Sequence, residues 1–234
     1  MTSRITMGTR IYLFGIGLLS STVFAGTMGP VVITEPSSGF YIGGDIGVAN
    51  LTDKESTPYA PGLYDMHQFS STGFVGGGLI GYDLSVMDRI KLGVEGFING
   101  SALNIAAEQK YETQPSFNAN MRYSAGVRLL PGYEFSRGTV GHVILGYSYG
   151  KFNLKDTGNY GFIDTGLSRN GFQAGLGFKV PCHLKNLSLR GDMIYTTYGS
   201  SMSLGQSTSL APQNYNNTFA TLEGTLSLVY KFSG

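Results

Sequence analysis

A chain of 234 residues with 16 Lys+Arg against 15 Asp+Glu, a formal net charge of +1, carries no electrostatic footprint for nucleic acid. Only 13% of its residues are charged, against about 25% in an ordinary soluble domain, while 35 are glycine and 12% are aromatic with no tryptophan. Mean hydropathy is +0.01. That value excludes a helical membrane protein, whose every span needs roughly 20 consecutive apolar residues, but suits strands in which only alternate residues face lipid.

The one stretch resembling a membrane helix opens the chain. Arg4 and Arg10 precede an apolar run over residues 11 to 24 that closes on Val23-Phe24-Ala25. This three-part layout reads as a secretory signal peptide over 1–25, cleaved after Ala25, in preference to an uncleaved anchor. Loss of the two arginines leaves the mature chain close to neutral. A lead-in containing Pro and Ser, residues 26–38, then precedes a barrel domain at 39–234. Cys182 is the only cysteine, which excludes an internal disulfide framework, and it lies too far from the cleavage site to carry a lipid anchor. Asn-x-Ser/Thr triplets at Asn50, Asn186 and Asn216 read as polar turn residues.

Eight runs with strand periodicity follow. The first two cover residues 40–49 and 72–84. In the third, Ile90, Leu92, Val94 and Ile98 fall on one face and Lys91, Gly93, Glu95 and Asn99 on the other. The fourth sets Met121, Tyr123, Ala125, Val127 and Leu129 against Arg122, Ser124, Gly126 and Arg128. A fifth spans residues 142–152. The sixth opposes Phe172, Ala174, Leu176, Phe178 and Val180 to Gln173, Gly175, Gly177 and Lys179, and the seventh opposes Leu187, Leu189, Met193 and Tyr195 to Ser188, Arg190, Asp192 and Thr196. The eighth spans residues 219–232. Short connections about residues 86–88, 136–138 and 181–185 alternate with long polar ones over 50–71, 102–119, 153–168 and 199–217. The alternation predicts an all-β, eight-stranded antiparallel up-and-down transmembrane β-barrel, with short periplasmic turns and four extracellular loops.

A soluble barrel of lipocalin type would instead turn the apolar faces inward. Two features favour lipid on the outside. The polar faces carry opposite charges (Asp45, Lys91, Glu95, Arg122, Arg128, Lys179, Arg190, Asp192, Glu223) among many glycines, a mixture able to fill a narrow interior. Aromatics on the apolar faces near strand ends, Phe40, Phe74, Tyr82, Tyr133, Tyr147, Tyr149, Tyr195 and Tyr230, suit an interfacial girdle. Hairpin folding brings Glu95 toward Arg122 and Arg128, and Glu223 toward Arg190. These five residues form an expected interior ion-pair network.

The closing run Leu226-Ser-Leu228-Val-Tyr230-Lys-Phe232, the opening run Gly39-Phe-Tyr-Ile-Gly-Gly-Asp45 and the layout between them resemble the OmpA/OmpX-like family of eight-stranded outer-membrane β-barrels, which includes opacity-type surface proteins. The resemblance implies residence in the bacterial outer membrane, among its lipids and lipopolysaccharide. It also implies that Leu226, Leu228, Tyr230 and Phe232 form an outward-facing assembly signal read by the barrel-insertion machinery. Ser233 and Gly234 follow Phe232, whereas the family pattern ends on the aromatic.

Signs of chemistry are few. Gly76-Gly-Gly78-Leu-Ile-Gly81 matches G-x-G-x-x-G, but a phosphate cradle needs its glycines to leave a strand and open a helix, and here a strand continues through them. His142 is expected to point inward near the periplasmic end of the fifth strand; Val143 and Ile144 follow it, not the His-x-Ser of outer-membrane lipid A deacylases. His67 with Asp65 is only a pair, too few for a metal, and His183 lies in a turn. No catalytic, cofactor or metal site is expected, and hence no enzyme. The expected function is a structural or adhesin-like surface-interaction role through the loops, with Tyr59, Tyr64, His67, Phe69 and Tyr215 as candidate contacts for an unidentified host or extracellular ligand. The alternatives are a small porin-like channel and a lipid-modifying outer-membrane enzyme.

Overall fold

A computed structural model describes residues 38–60, 63–108, 116–136, 138–158, 161–199 and 216–232. The expected signal peptide, residues 1–25, and nearly all of the expected lead-in, residues 26–38, lie outside these. The eight strands are β1 (Gly39–Ala60), β2 (Leu63–Ser85), β3 (Ile90–Glu108), β4 (Ser116–Ser136), β5 (Thr139–Gly158), β6 (Gly161–Pro181), β7 (Leu187–Tyr198) and β8 (Asn216–Lys231). Each pairs antiparallel with its neighbours in the chain, and β8 pairs with β1 to close the barrel. Closure leaves no free edge in the paired region.

Strand length is where the structure departs most from the sequence reading. β1 and β2 run for 22 and 23 residues, whereas a tilted strand crosses the hydrocarbon in about 9–11. Three of the four expected loops are therefore largely strand. Residues 50–60 stay paired with 63–72 as far as Ala60↔Leu63, β3 and β4 pair to Glu108↔Ser116, and β5 and β6 to Gly158↔Gly161. β7 alone stops early, after 12 residues. The fourth connection lies outside the described residues beyond Gly199. Asn50 and Asn216 correspondingly sit in strands and not in turns. Asn186 does hold a turn, at φ 67°, a left-handed conformation that asparagine tolerates better than most residues.

The missed strand halves have a common cause. On β1 the outward residues run Phe40, Ile42, Ile46, Val48 and then Asn50 and Lys54, while the inward ones run Tyr41, Asp45, Ala49, Leu51. On β5 they run Val143, Leu145, Tyr147, Tyr149 and then Lys151 and Asn153, opposite His142, Ile144, Ser148 and Phe152. Polarity inverts partway along a continuous strand. Below the inversion the barrel is apolar outside and polar within, as lipid requires; above it, polar outside and apolar within, as water requires. An alternation whose sense reverses reads, in sequence, as the end of a strand.

Glycines allow the sheet to close tightly. A Cβ on Gly77, within the G-x-G-x-x-G stretch, would collide with the Ile98 carbonyl and with Asn99. One on Gly81 would meet the Tyr41 ring, and that place beside the hydroxyl is what lets Tyr41 reach the barrel interior. Both glycines lie inside β2, so the stretch is a packing device of the wall. Gly77→Ala is expected to cost about 1–3 kcal/mol of barrel stability through overpacking. Gly224→Ala, where a Cβ meets nothing within 4 Å, should leave the denaturant midpoint in lipid vesicles unchanged.

Candidate functional site: the filled interior and the strand extension

Reading the interior upward from the short turns, the lowest layer pairs Asp83 with Lys179 at 2.6 Å and with Lys231 at 3.3 Å, and Lys91 with Glu134 at 3.2 Å. Above it Glu95 is the hub. Arg190 donates to it through Nη1 at 2.5 Å and Nη2 at 3.2 Å, Arg128 through Nη1 at 3.5 Å, and the Tyr41 hydroxyl at 3.1 Å. Arg190 Nε also lies 2.8 Å from Asp192, which faces His142 Nε2 at 3.0 Å. Arg128 rests on the Phe97 ring, 3.7 Å from its centroid, and donates Nε–H to Gln173 at 2.9 Å, which in turn donates to Thr196 at 3.1 Å. Four strands, β1, β3, β4 and β7, supply the core of the network. Glu95 pairs directly with Arg128 across β3 and β4, and Glu95 is opposite Gly81 of β2, whose missing side chain admits Tyr41.

Three of the five residues expected in the network meet: Glu95, Arg128 and Arg190. Asp192, His142 and Tyr41 join them through contacts that pairing adjacent strands does not supply, because Tyr41–Glu95 and His142–Asp192 each skip a strand and Arg190–Asp192 lies within β7. The other two differ from expectation. Glu223 is buried but accepts from Thr221 at 3.1 Å; Arg190 is taken by Glu95 and Asp192. Arg122 is exposed on the outside. It is the extra residue between the pairs Met121↔Phe152 and Tyr123↔Lys151, and a one-residue slip sends every side chain beyond it to the opposite face. Met121, expected outside, is accordingly buried within.

The upper interior is largely apolar, although Asp53 is also fully buried there. Ala49, Leu51, Val75, Leu103, Ile105, Met121, Phe152, Tyr198 and Phe219 form one buried cluster, with Phe69 and Leu167 packed on it. Phe152 stacks on Phe219 at 4.9 Å and meets Tyr198 edge-on at 5.2 Å. Beneath it, a cavity of about 30 Å³ near the short turns, lined by Tyr41, Asp83, Lys91, His142, Lys179 and Arg190 among others, has room for about one water.

Of the candidate loop contacts, Phe69 is thus half-buried against the inner cluster, a structural position and not a displayed one. Tyr59, Tyr64 and His67 belong to β1 and β2, and their side chains lie outside the described residues, as does the whole of Tyr215. His183 is exposed in the turn after β6. Outside the barrel, Leu226, Leu228, Tyr230 and Phe232 all face outward, from 42% to 60% exposed. Edge-to-face pairs Phe40–Tyr82, Tyr133–Phe135 and Tyr230–Phe232 ring the end with the short turns, the place of an interfacial girdle.

A buried carboxylate shared by two guanidinium groups is costly to orphan. Glu95→Ala is expected to destabilise the barrel by about 3–5 kcal/mol, and Glu95→Ala combined with Arg190→Met should recover more of the loss than the combination with Arg128→Met. Equal urea midpoints for the two double variants would contradict the assignment of Arg190 as the closer partner.

The chain matches the family model described as "Outer membrane protein beta-barrel domain" over residues 14–232. A search of curated proteins found no match. Among solved structures it is similar to the outer membrane protease OmpT from Escherichia coli, at 9% identity and a TM-score of 0.52 over 82% of this chain and 97% of that one. It is also similar to Neisserial surface protein A (14%, 0.44, 84% and 100%) and to OprG from Pseudomonas aeruginosa (12%, 0.46, 86% and 99%). At such identities the likeness to OmpT is one of fold. The family match, the closed eight-stranded sheet and its lipid-facing apolar belt lead to one conclusion: this chain belongs to the outer membrane protein β-barrel domain family and resides in the bacterial outer membrane.

Proposed function

We propose that this protein is a non-catalytic surface-interaction barrel, whose membrane part is an anchor and whose extracellular strand extension makes the contacts. The observation that carries the reading is the inversion of polarity. Strands of 19 to 23 residues continue above the belt as a built structure with its own apolar core of Leu51, Leu103, Phe152 and Phe219. Burying four such side chains contributes on the order of 1.5–3 kcal/mol each, an investment that a bare membrane anchor does not need. A stiff, water-facing wall presents fixed side chains and spends less ordering entropy on a partner than a floppy loop would.

The filled interior argues against the channel alternative. The stacked rings at Phe152 and Phe219 lie above the Glu95 hub, and an eight-stranded barrel has little room beyond its own side chains. Against the enzyme alternative, His142 and Asp192 are both buried and engaged with each other and with Arg190, so a base at that place lacks a substrate-sized approach. The outward-facing Leu226, Leu228, Tyr230 and Phe232 fit an assembly signal for the insertion machinery.

Shortening β1–β2 by joining Asp53 to Phe69 through a two-residue turn tests the reading. The shortened protein should keep its heat-dependent gel migration and lose the retention of protein-bearing vesicles on epithelial-cell monolayers. Full retention after shortening would sink the surface-contact role of that hairpin, and unitary conductance of the intact protein in planar bilayers would favour the channel instead.

A further inference from the structure

The bulge that expels Arg122 from the interior places it in a specific setting. On β5 the last belt aromatics are Tyr147 and Tyr149, and the next outward residues are Lys151 and Asn153; on β6 the belt ends at Phe172 and gives way to Asn170 and Ser168. Arg122 lies at this same boundary, one residue from Tyr123, which pairs with Lys151. With its amide turned to satisfy both ends, Asn153 accepts from Arg122 Nη2 at 2.8 Å and Nε at 2.9 Å. That contact orients the guanidinium, and no carboxylate pairs with it among the described residues. Lys151 leans toward Gly166, where a Cβ would stand 4.0 Å from its Cε. Tyr149 is occupied, donating to Ser168 at 2.6 Å.

No carboxylate answers these two cations on the described outward surface around them. The neighbours are Ala102 and Asn104 on β3, Asn120 on β4, Tyr149 and Asn153 on β5, and Ser168 and Asn170 on β6. Aspartates occur only farther along the strands, at Asp156 and Asp164. An arginine could have been left inside, where Glu95 already serves two guanidinium groups; the extra residue instead turns it to the level at which the lipid headgroups of the outer leaflet stand. We propose that Arg122 and Lys151, with Asn153 holding the guanidinium, form a binding site for the phosphate groups of lipopolysaccharide. Arginine matches a phosphate with two parallel N–H donors, lysine adds a point charge, and the low-dielectric edge of the membrane strengthens both. The site rests on outer-membrane residence alone and is independent of what the hairpins contact.

The test compares full-length wild type with Arg122→Gln/Lys151→Gln in vesicles of phosphatidylcholine, alone or doped with bisphosphorylated lipid A or with its dephosphorylated form. Thermal unfolding is read from heat-dependent gel migration. In phosphatidylcholine alone the two proteins should unfold together, which controls for folding. Bisphosphorylated lipid A should raise the wild-type midpoint by several degrees and leave the variant unmoved, Arg122→Lys should retain part of the rise, and added salt should shrink it. An equal rise in the variant overturns the proposal. So does an equal wild-type rise with dephosphorylated lipid A, or with inorganic phosphate in plain vesicles. Should the double variant fail to fold, Lys151→Gln alone and the salt series decide in the same way.

Discussion

The size of the hole governs this protein. Eight tilted strands close on an interior just wide enough for side chains, so inward residues compete there for space and, when charged, for partners. Space comes from glycine: Gly77, Gly81 and Gly177 lie where a Cβ would strike Asn99, Tyr41 or the Asp192–His142 pair. Partnership comes from concentrating charge on a few hubs. Glu95 serves Arg190, Arg128 and Tyr41 together, and Asp83 serves Lys179 and Lys231. A carboxylate in a narrow, water-poor space is costly to leave alone, and sharing it among several donors limits that cost.

The same hole takes a different filling above the membrane. Once the outward residues change from Val48 to Asn50, or from Tyr149 to Lys151, the wall faces water, and the interior residues become Leu51, Phe152 and Phe219. One sheet therefore satisfies two solvents with opposite demands, and the backbone hydrogen-bond ladder runs through the change without interruption. The bulge at Arg122 belongs to the transition. It lies at the boundary, resets the register of β4 and exchanges an arginine for Met121 on the inner side.

These features divide the labour of the molecule. The lower half is shaped by the need to stay inserted and closed, and its polar network spans the barrel from β1 to β7. The upper half has freedom on its outer surface, because water accepts nearly any polar side chain. Freedom to carry specific contacts lies there, and at the lipid boundary an exposed guanidinium is held by Asn153 and faces no carboxylate among the described residues.

Fold class, strand number, strand order and the sense of the membrane-facing surface were all legible in the chain, because each rests on a period-two pattern or on turn residues such as Gly138 and Asn186, which are local. The direct partnership of Glu95 with Arg128 was legible too, since it lies within one hairpin. What only the tertiary structure decided is non-local. The reach of Arg190 and Tyr41 to Glu95 crosses the barrel, so no hairpin construction can find it. The outward turn of Arg122 depends on one extra residue relative to a neighbouring strand, invisible in either strand alone. The upper halves of the strands vanished from the pattern because their solvent changes from lipid to water midway, and periodicity alone does not say which face meets which solvent.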